Sequence, residues 1–197
     1  MEMIHMNEGQ ILNIAQSLFF EKGYEETSLD DIAAEAKVDS NQLKERYSTK
    51  ADLLLDVLSE DFIDELEEQD NQLTEKDLDR KPAEIVYDYL YKRLHPYLQL
   101  SKAMYRDLTS LALRAYESDP EQLKKFVGLD FMLVDELIGF LNQMKEMGVL
   151  SADFDSNEAA EIIYSVLAFE FVVFLSQGER SVEDCMAGVQ RKVRFLF

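Results

Sequence analysis

Glycine and proline are scarce in this sequence, with seven and three among 197 residues. No run alternates Val, Ile and Thr between turn residues, while helix formers occur throughout. These absences argue against sandwiches, barrels and open sheets and predict an all-α chain. A lone cysteine, Cys185, rules out an internal disulfide. The N-terminus, Met1 to Gln10, has neither a basic leader nor a continuous apolar stretch, so a cytoplasmic location is expected. The most apolar stretch, Ile162 to Leu175, is interrupted by Ser165 and Glu170. It falls short of the roughly 20 residues a membrane span needs, which predicts a buried helix and no membrane association.

Residues that carry chemistry are equally thin. The two histidines, His5 and His95, stand far apart, no glycine-rich loop could cradle a phosphate, and no Ser, Cys or carboxylate comes with a recognisable partner. Cys185 has no companion and His95 has no second ligand at helical spacing. An enzyme is therefore not expected, nor a metal site or a cofactor. Paired acids such as Asp30-Asp31 and Glu67-Glu68 read as helix caps and solvated faces.

Positive charge is also in short supply: 20 Lys and Arg against 40 Asp and Glu leave a net charge of −20. Nucleic-acid affinity rests mainly on basic side chains that neutralise phosphates, so the total speaks against a DNA binder and the distribution decides. Residues 1–55 carry 11 acidic and 5 basic side chains, and four of those five, Lys37, Lys44, Arg46 and Lys50, fall within 14 positions. Only Asp39 and Glu45 oppose them there.

What the sequence does contain is helical periodicity, with 47% apolar residues to build a core. Ile11, Leu12, Ile14, Ala15, Leu18 and Phe19 mark a first helix from Glu8 to Lys22, stopped by Gly23. Ser28 and Asp31 form a capping box for a second helix ending near Ala36. After the Lys37-Val38 turn, Asp39 caps a short third helix, about Ser40 to Tyr47, with Leu43 and Tyr47 inward and Ser40, Asn41, Lys44 and Glu45 outward. Thr49 to Asp52 opens a fourth, longer helix that gives way to a polar linker over Glu67–Lys81. Three short helices followed by a connector is the plan of a helix-turn-helix domain.

Further helices are predicted from Pro82 to about Leu94, ended or kinked at His95-Pro96, then over Ser101–Tyr116, Pro120–Met147, Asn157–Ser176 and Ser181–Val193. Among them, Tyr87, Tyr91, His95, Tyr105 and Arg106 are candidates to line a pocket for a small hydrophobic or aromatic effector, because several tyrosine hydroxyls need partners if buried. The helix over Asn157–Ser176 has hardly any polar face, and the last offers Val182, Cys185, Met186, Val189 and Val193 at spacings of three and four. Both are expected to join two copies of the chain.

The stretch from Ile11 to Tyr24, then Thr27 to Ala33, Val38, Leu43 to Tyr47, Thr49-Lys50 and Leu53-Leu54, resembles the DNA-binding domain of the tetracycline-repressor (TetR) family in order and spacing. The resemblance implies a helix-turn-helix domain over 1–55 and a larger helical domain over 56–197 for ligand binding and dimerisation, about nine helices in all. It implies a homodimeric, ligand-responsive regulator, most simply a repressor, acting on a palindromic operator. By position it places Thr27, Lys44 and Lys50 near phosphates and Ser40, Asn41 and Gln42 near base edges; Arg46 joins them from the basic cluster. Lys37 stands where the family usually has a turn glycine, Asn41 replaces a small residue, Lys44-Glu45 replaces an aromatic pair, and acids stand where basic residues usually precede the first helix. The competing expectation is the same fold without DNA recognition, serving as a lipid or small-molecule binder or as a protein-interaction module.

Overall fold

A computed structural model describes residues 8–68 and 73–197. Among the described residues there are nine α-helices and no strand: α1 Glu8–Ser17, α2 Leu29–Ala36, α3 Ser40–Arg46, α4 Lys50–Glu68, α5 Pro82–Leu98, α6 Lys102–Ser118, α7 Pro120–Glu146, α8 Ser156–Ser176 and α9 Val182–Val193. The all-α expectation stands. The start of the chain and part of the linker expected over Glu67–Lys81 lie outside the described residues.

Contacts divide the chain into two compact units, residues 1–69 with 100–125 and residues 70–99 with 126–197. The first therefore comprises α1 to α4, α6 and the opening of α7, more than the 1–55 stretch by itself. Its core is Ile11, Leu12, Ala15, Phe19, Ile32, Ala33, Leu43, Tyr47 and the inner face of α4, joined by Leu111 and Ala115 of α6.

Local signals set the helix ends. The Ser28 Oγ accepts from the Asp31 N–H at 3.1 Å while the Asp31 carboxylate takes the Ser28 N–H at 2.9 Å, so the capping box forms in both directions. Asp39 Oδ1 accepts from the N–H groups of Asn41 and Gln42 at 2.9 and 3.1 Å. Thr49 and Asp52 exchange bonds the same way at the start of α4. Lys37 holds the left-handed turn between α2 and α3 at φ 57°, a conformation that costs a non-glycine residue about 1 kcal/mol. The Val38 N–H closes this turn on the Ala33 carbonyl at 3.0 Å.

The predicted first helix changes type near its end. After Ser17 it widens into a π-helical stretch, Leu18–Gly23, and the Thr27 hydroxyl donates to the carbonyls of Gly23 and Leu18 at 2.8 and 3.2 Å. The predicted stop at His95-Pro96 moves: α5 runs on to Leu98. A proline that close to a helix end forfeits few backbone bonds before the helix stops on its own account.

The second unit packs Ile85, Val86, Tyr89 and Leu90 of α5, Leu137, Phe140, Leu141 and Met144 of α7, Ala160 and Ile163 of α8, and Val189 and Val193 of α9 into one core. Two charged groups are sunk in it. Arg93 is fully buried and grips Glu136 through two bonds, at 2.6 and 3.1 Å. Glu170, mid-way along α8 and 1% exposed, accepts from both Arg180 and Lys192. By length and composition alone α8, at 21 residues, could cross a membrane, so the expectation that this apolar stretch is too short is corrected. The capped Ser156 start extends the helix beyond the apolar run, and a doubly paired carboxylate at its middle belongs to a protein core.

The α9 stripe, expected to meet a second copy, is corrected too. Cys185, Met186, Val189 and Val193 are buried within their own unit, where α9 packs on α8 and α5. Periodicity identified the covered face of that helix, and its own unit supplies the cover.

Gly188 of α9 faces the Glu170 carboxylate so closely that an added Cβ would overlap it. In an ordinary helix interior, Gly→Ala stabilises by roughly 0.5–1 kcal/mol. At this site, overpacking by about 1–3 kcal/mol outweighs that gain. Gly188→Ala is therefore expected to lower the stability measured by urea unfolding, and a variant as stable as the parent would contradict the close approach of α8 and α9.

Candidate nucleic-acid interface

Helix α3 is held by its inner side. Leu43 is wholly buried and Tyr47, just past the helix end, is 3% exposed, so the i, i+4 pair expected to anchor the helix does so. Ser40 is half-buried, while Asn41, Gln42, Lys44, Glu45 and Arg46 are exposed. Two amide side chains thus stand out from a short helix whose opposite side is locked in the core.

The cations around it are engaged within the unit. Lys44 Nζ lies 2.6 Å from Asp30 Oδ1, the oxygen that also accepts the Ser40 hydroxyl, so one carboxylate of α2 holds two outward residues of α3. Those two bonds keep Asp30 ionised below the usual carboxylate range. Arg46 pairs with Glu8 of α1, and Lys22 lies 3.4 Å from Asp31. Lys50 Nζ donates to the Tyr24 carbonyl at 2.5 Å and sits 4.4 Å from the centroid of the Tyr24 ring. Tyr24 packs against Phe19 and donates its hydroxyl to Asp107 of α6 at 3.0 Å.

Of the residues singled out from the sequence for DNA, Ser40, Asn41, Gln42, Lys44 and Arg46 share α3. Lys50 starts α4, half-buried against Tyr24. Thr27 is 2% exposed with its hydroxyl turned inward to the π-helical stretch, so it shapes the approach to α2 from beneath the surface. Sequence reasoning missed the roles of Asp30, read as a cap or solvated acid, and of Glu8, read as an acid where basic residues usually precede the first helix, because their partners are 14 and 38 residues away.

The effector candidates separate. Tyr87, Tyr91 and His95 form a ladder along α5, with ring centroids 6.2 and 6.4 Å apart. Tyr91 is 45% exposed, and the ladder lies away from the core-facing residues Tyr89, Leu90 and Arg93. Tyr105, buried, and Arg106, exposed, belong to α6 in the first unit. Polar groups that reach into the second unit's core include, besides Glu170, Arg93, its partner Glu136 and Tyr89, the last stacked on Phe140 with ring centroids 4.0 Å apart. Residues 46–56 and 111–125 enclose an open cavity of about 520 Å³. Its charged lining is largely paired, Lys125 with Asp56 and Gln122 with Asp52, each at 2.5 Å.

A capped helix, a left-handed turn and a second helix anchored from behind make the N-terminal unit a helix-turn-helix module. The profile of the family described as bacterial regulatory proteins, tetR family, matches residues 11–57. That match makes the N-terminal module, residues 11–57, similar to the DNA-binding module of that family. Solved structures agree on the fold over nearly the whole length. The Thermus thermophilus FadR repressor in complex with lauroyl-CoA superposes with a TM-score of 0.59 at 21% identity, covering 96% of this chain and 93% of the other. Bacillus subtilis FadR in complex with stearoyl-CoA gives 0.59 at 19%, covering 95% and 96%. A transcriptional regulator from Cytophaga hutchinsonii gives 0.60 at 18%, covering 95% and 93%. No curated protein sequence matches the chain.

Tyr47 carries a buried hydroxyl that makes no well-formed hydrogen bond, although the Arg46 guanidinium lies beside it, and burial pushes its pKa up to about 12. Leaving such a group unpaired costs roughly 1–3 kcal/mol. Tyr47→Phe is therefore expected to keep the fold and to match or exceed the parent's stability in urea. A clear loss of stability would show that the hydroxyl is satisfied.

Proposed function

We propose that this protein is a ligand-responsive transcription regulator, acting as a repressor, that binds a palindromic DNA operator as a homodimer through α3. The observation that carries this reading is the presentation of Asn41 and Gln42 on a helix fixed from behind by Leu43 and Tyr47. Amide side chains can pair in bidentate fashion with adenine in the major groove. Lys44, Arg46 and Lys50 flank them as phosphate contacts, with Ser40 beside the base edges. The reading places the protein in the cytoplasm, and among the described residues no catalytic constellation competes with it.

Dimerisation is assigned to α8. Ile162, Phe169 and Val172 stand 37%, 58% and 64% exposed on a helix whose other side is core, with Ser165 in the same row. Large apolar side chains aligned in this way fit a self-complementary two-fold contact. The effector is assigned to the second unit, where Arg93, Glu136 and Tyr89 provide a few polar groups inside an apolar core, as ligand sites commonly do. The acyl-CoA complexes of the two FadR neighbours make a long-chain acyl thioester the first compound to try.

A second reading is favoured by the net charge of −20 and the internally paired cations: the same fold without DNA recognition, binding a small molecule or another protein. Gel retardation on the DNA flanking the protein's own coding region separates the two. The regulator retards that DNA at low salt, releases it when long-chain acyl-CoA is added, and shifts its preferred sequence in Asn41→Ala or Gln42→Ala. No retardation of any duplex at low salt would favour the second reading.

The dimer has its own measurement. The parent is expected to sediment as a dimer at micromolar concentration, and Phe169→Glu combined with Val172→Glu as a folded monomer with unchanged helical circular dichroism. A monomeric parent would overturn the assignment of α8.

A further inference from the structure

Four of the five basic residues in 8–55 are engaged within the first unit: Lys22 with Asp31, Lys44 with Asp30, Arg46 with Glu8 and Lys50 with the Tyr24 carbonyl. The helix starts where a phosphate could settle are occupied as well. Asp31 closes the capping box of α2 and Asp39 takes the first N–H groups of α3. Asp30 differs from these caps. It makes no bond to its own helix start, and its Oδ1 holds the Ser40 hydroxyl and the Lys44 ammonium of α3.

We propose that Asp30 is a built-in competitor of the DNA phosphate, which holds Lys44 and Ser40 of α3 and thereby sets how tightly this surface grips DNA. The inference rests on the reading of the N-terminal unit as DNA-binding. Both partners are well exposed, Lys44 at 46% and Asp30 at 62% of their side-chain surface. Such a pair is weak and open to exchange. A DNA phosphate must then compete with Asp30 for Lys44, and in the parent Asp30 keeps its hold. A lysine already neutralised by its own protein contributes little to the salt dependence of binding, because it has no phosphate of its own from which to displace a counterion.

Asp30→Asn removes the competing charge, while its amide oxygen can still accept the Ser40 hydroxyl. With Lys44 freed for a phosphate, affinity for a long mixed-sequence duplex at low salt rises roughly three- to tenfold, and the slope of log K against log salt steepens by about one. Two comparisons separate exchange at Lys44 from a general loss of negative charge. Glu35→Gln, an exposed acid of α2 with the same change in net charge, gives a smaller gain. The Asp30→Asn gain also vanishes in a Lys44→Ala background. Equal gains in Glu35→Gln, or a gain that persists without Lys44, would overturn the proposal.

Nuclear magnetic resonance of the Asp30 carboxyl in the DNA-free protein tests the pair directly. Its titration moves upward in Lys44→Ala if the clamp exists, and an unmoved titration would overturn it. Failure of the parent and every variant to retard any duplex would bring down the DNA reading and the competition with it. A parent that binds, with Asp30→Asn binding no tighter, would bring down the competition alone.

Discussion

With two carboxylates for every lysine or arginine, the cations of this chain meet its own acids before they meet anything else. The two compact units use that pairing differently. In the first the pairs lie on the surface, each contributing little to stability, and they decide where the basic side chains of the reading surface rest. In the second, beside the more exposed pairs of Arg80 with Asp77 and Asp88, two sets of pairs are built on a buried charge. Glu170 takes both Arg180 and Lys192, and Arg93 takes Glu136. A charge in an apolar core must be answered where it stands, so these pairs dictate the local geometry, including the bare Gly188 that leaves room for the Glu170 carboxylate.

Tyr24 is where the charge pattern and the core of the first unit meet. Its ring is buried beside Phe19, its hydroxyl reaches Asp107 of α6, and its carbonyl and ring face receive Lys50. The π-helical stretch just before it widens the backbone by a residue per turn, and the Thr27 hydroxyl satisfies two of its carbonyls. The chain therefore enters α2 from a braced corner, and the positions of α2 and α3 follow from packing beneath the surface. Anchoring from behind, with Ser40 and Lys44 held by Asp30, leaves Asn41 and Gln42 on the outer side of α3 without structural duty. That is why Asn41 and Gln42 can point outward without cost to the fold.

Much of this was legible in the sequence, for identifiable reasons. Capping at Ser28, Asp39 and Thr49 is local chemistry, confined to four residues, and the inward pair Leu43 and Tyr47 follows from helical phase. The buried charges were not legible. Arg93 finds Glu136 across 43 positions and Lys192 finds Glu170 across 22, and nothing in the surrounding residues distinguishes them from solvated charges. Phase misled at α9 because a stripe reports that a face is covered without saying by what. On α5 the aromatic density drew attention to Tyr87, Tyr91 and His95, while the polar groups that reach the core, Tyr89 and Arg93, lie on the neighbouring face of the same helix. The Ser101 cap of α6 closes on the Met104 sulfur, a partner that no acid or amide signal could have announced.

If α3 reads DNA as proposed, the engaged cations bear on its selectivity. Non-specific DNA binding is almost wholly electrostatic, and a genome offers a vast excess of non-specific sites that compete with any operator. In that reading a protein of net charge −20 whose Lys44 and Arg46 are paired with its own acids would suppress that background term more than it suppresses hydrogen bonds to base edges, because Asn41 and Gln42 carry no charge. What it gives up in total affinity it gives up chiefly on the wrong sequences. Pairing two copies through the apolar row on α8 would restore affinity only where two half-sites stand at the right spacing. The scarcity of positive charge, which at first argues against DNA, would under the proposed reading be a means of discriminating among DNAs.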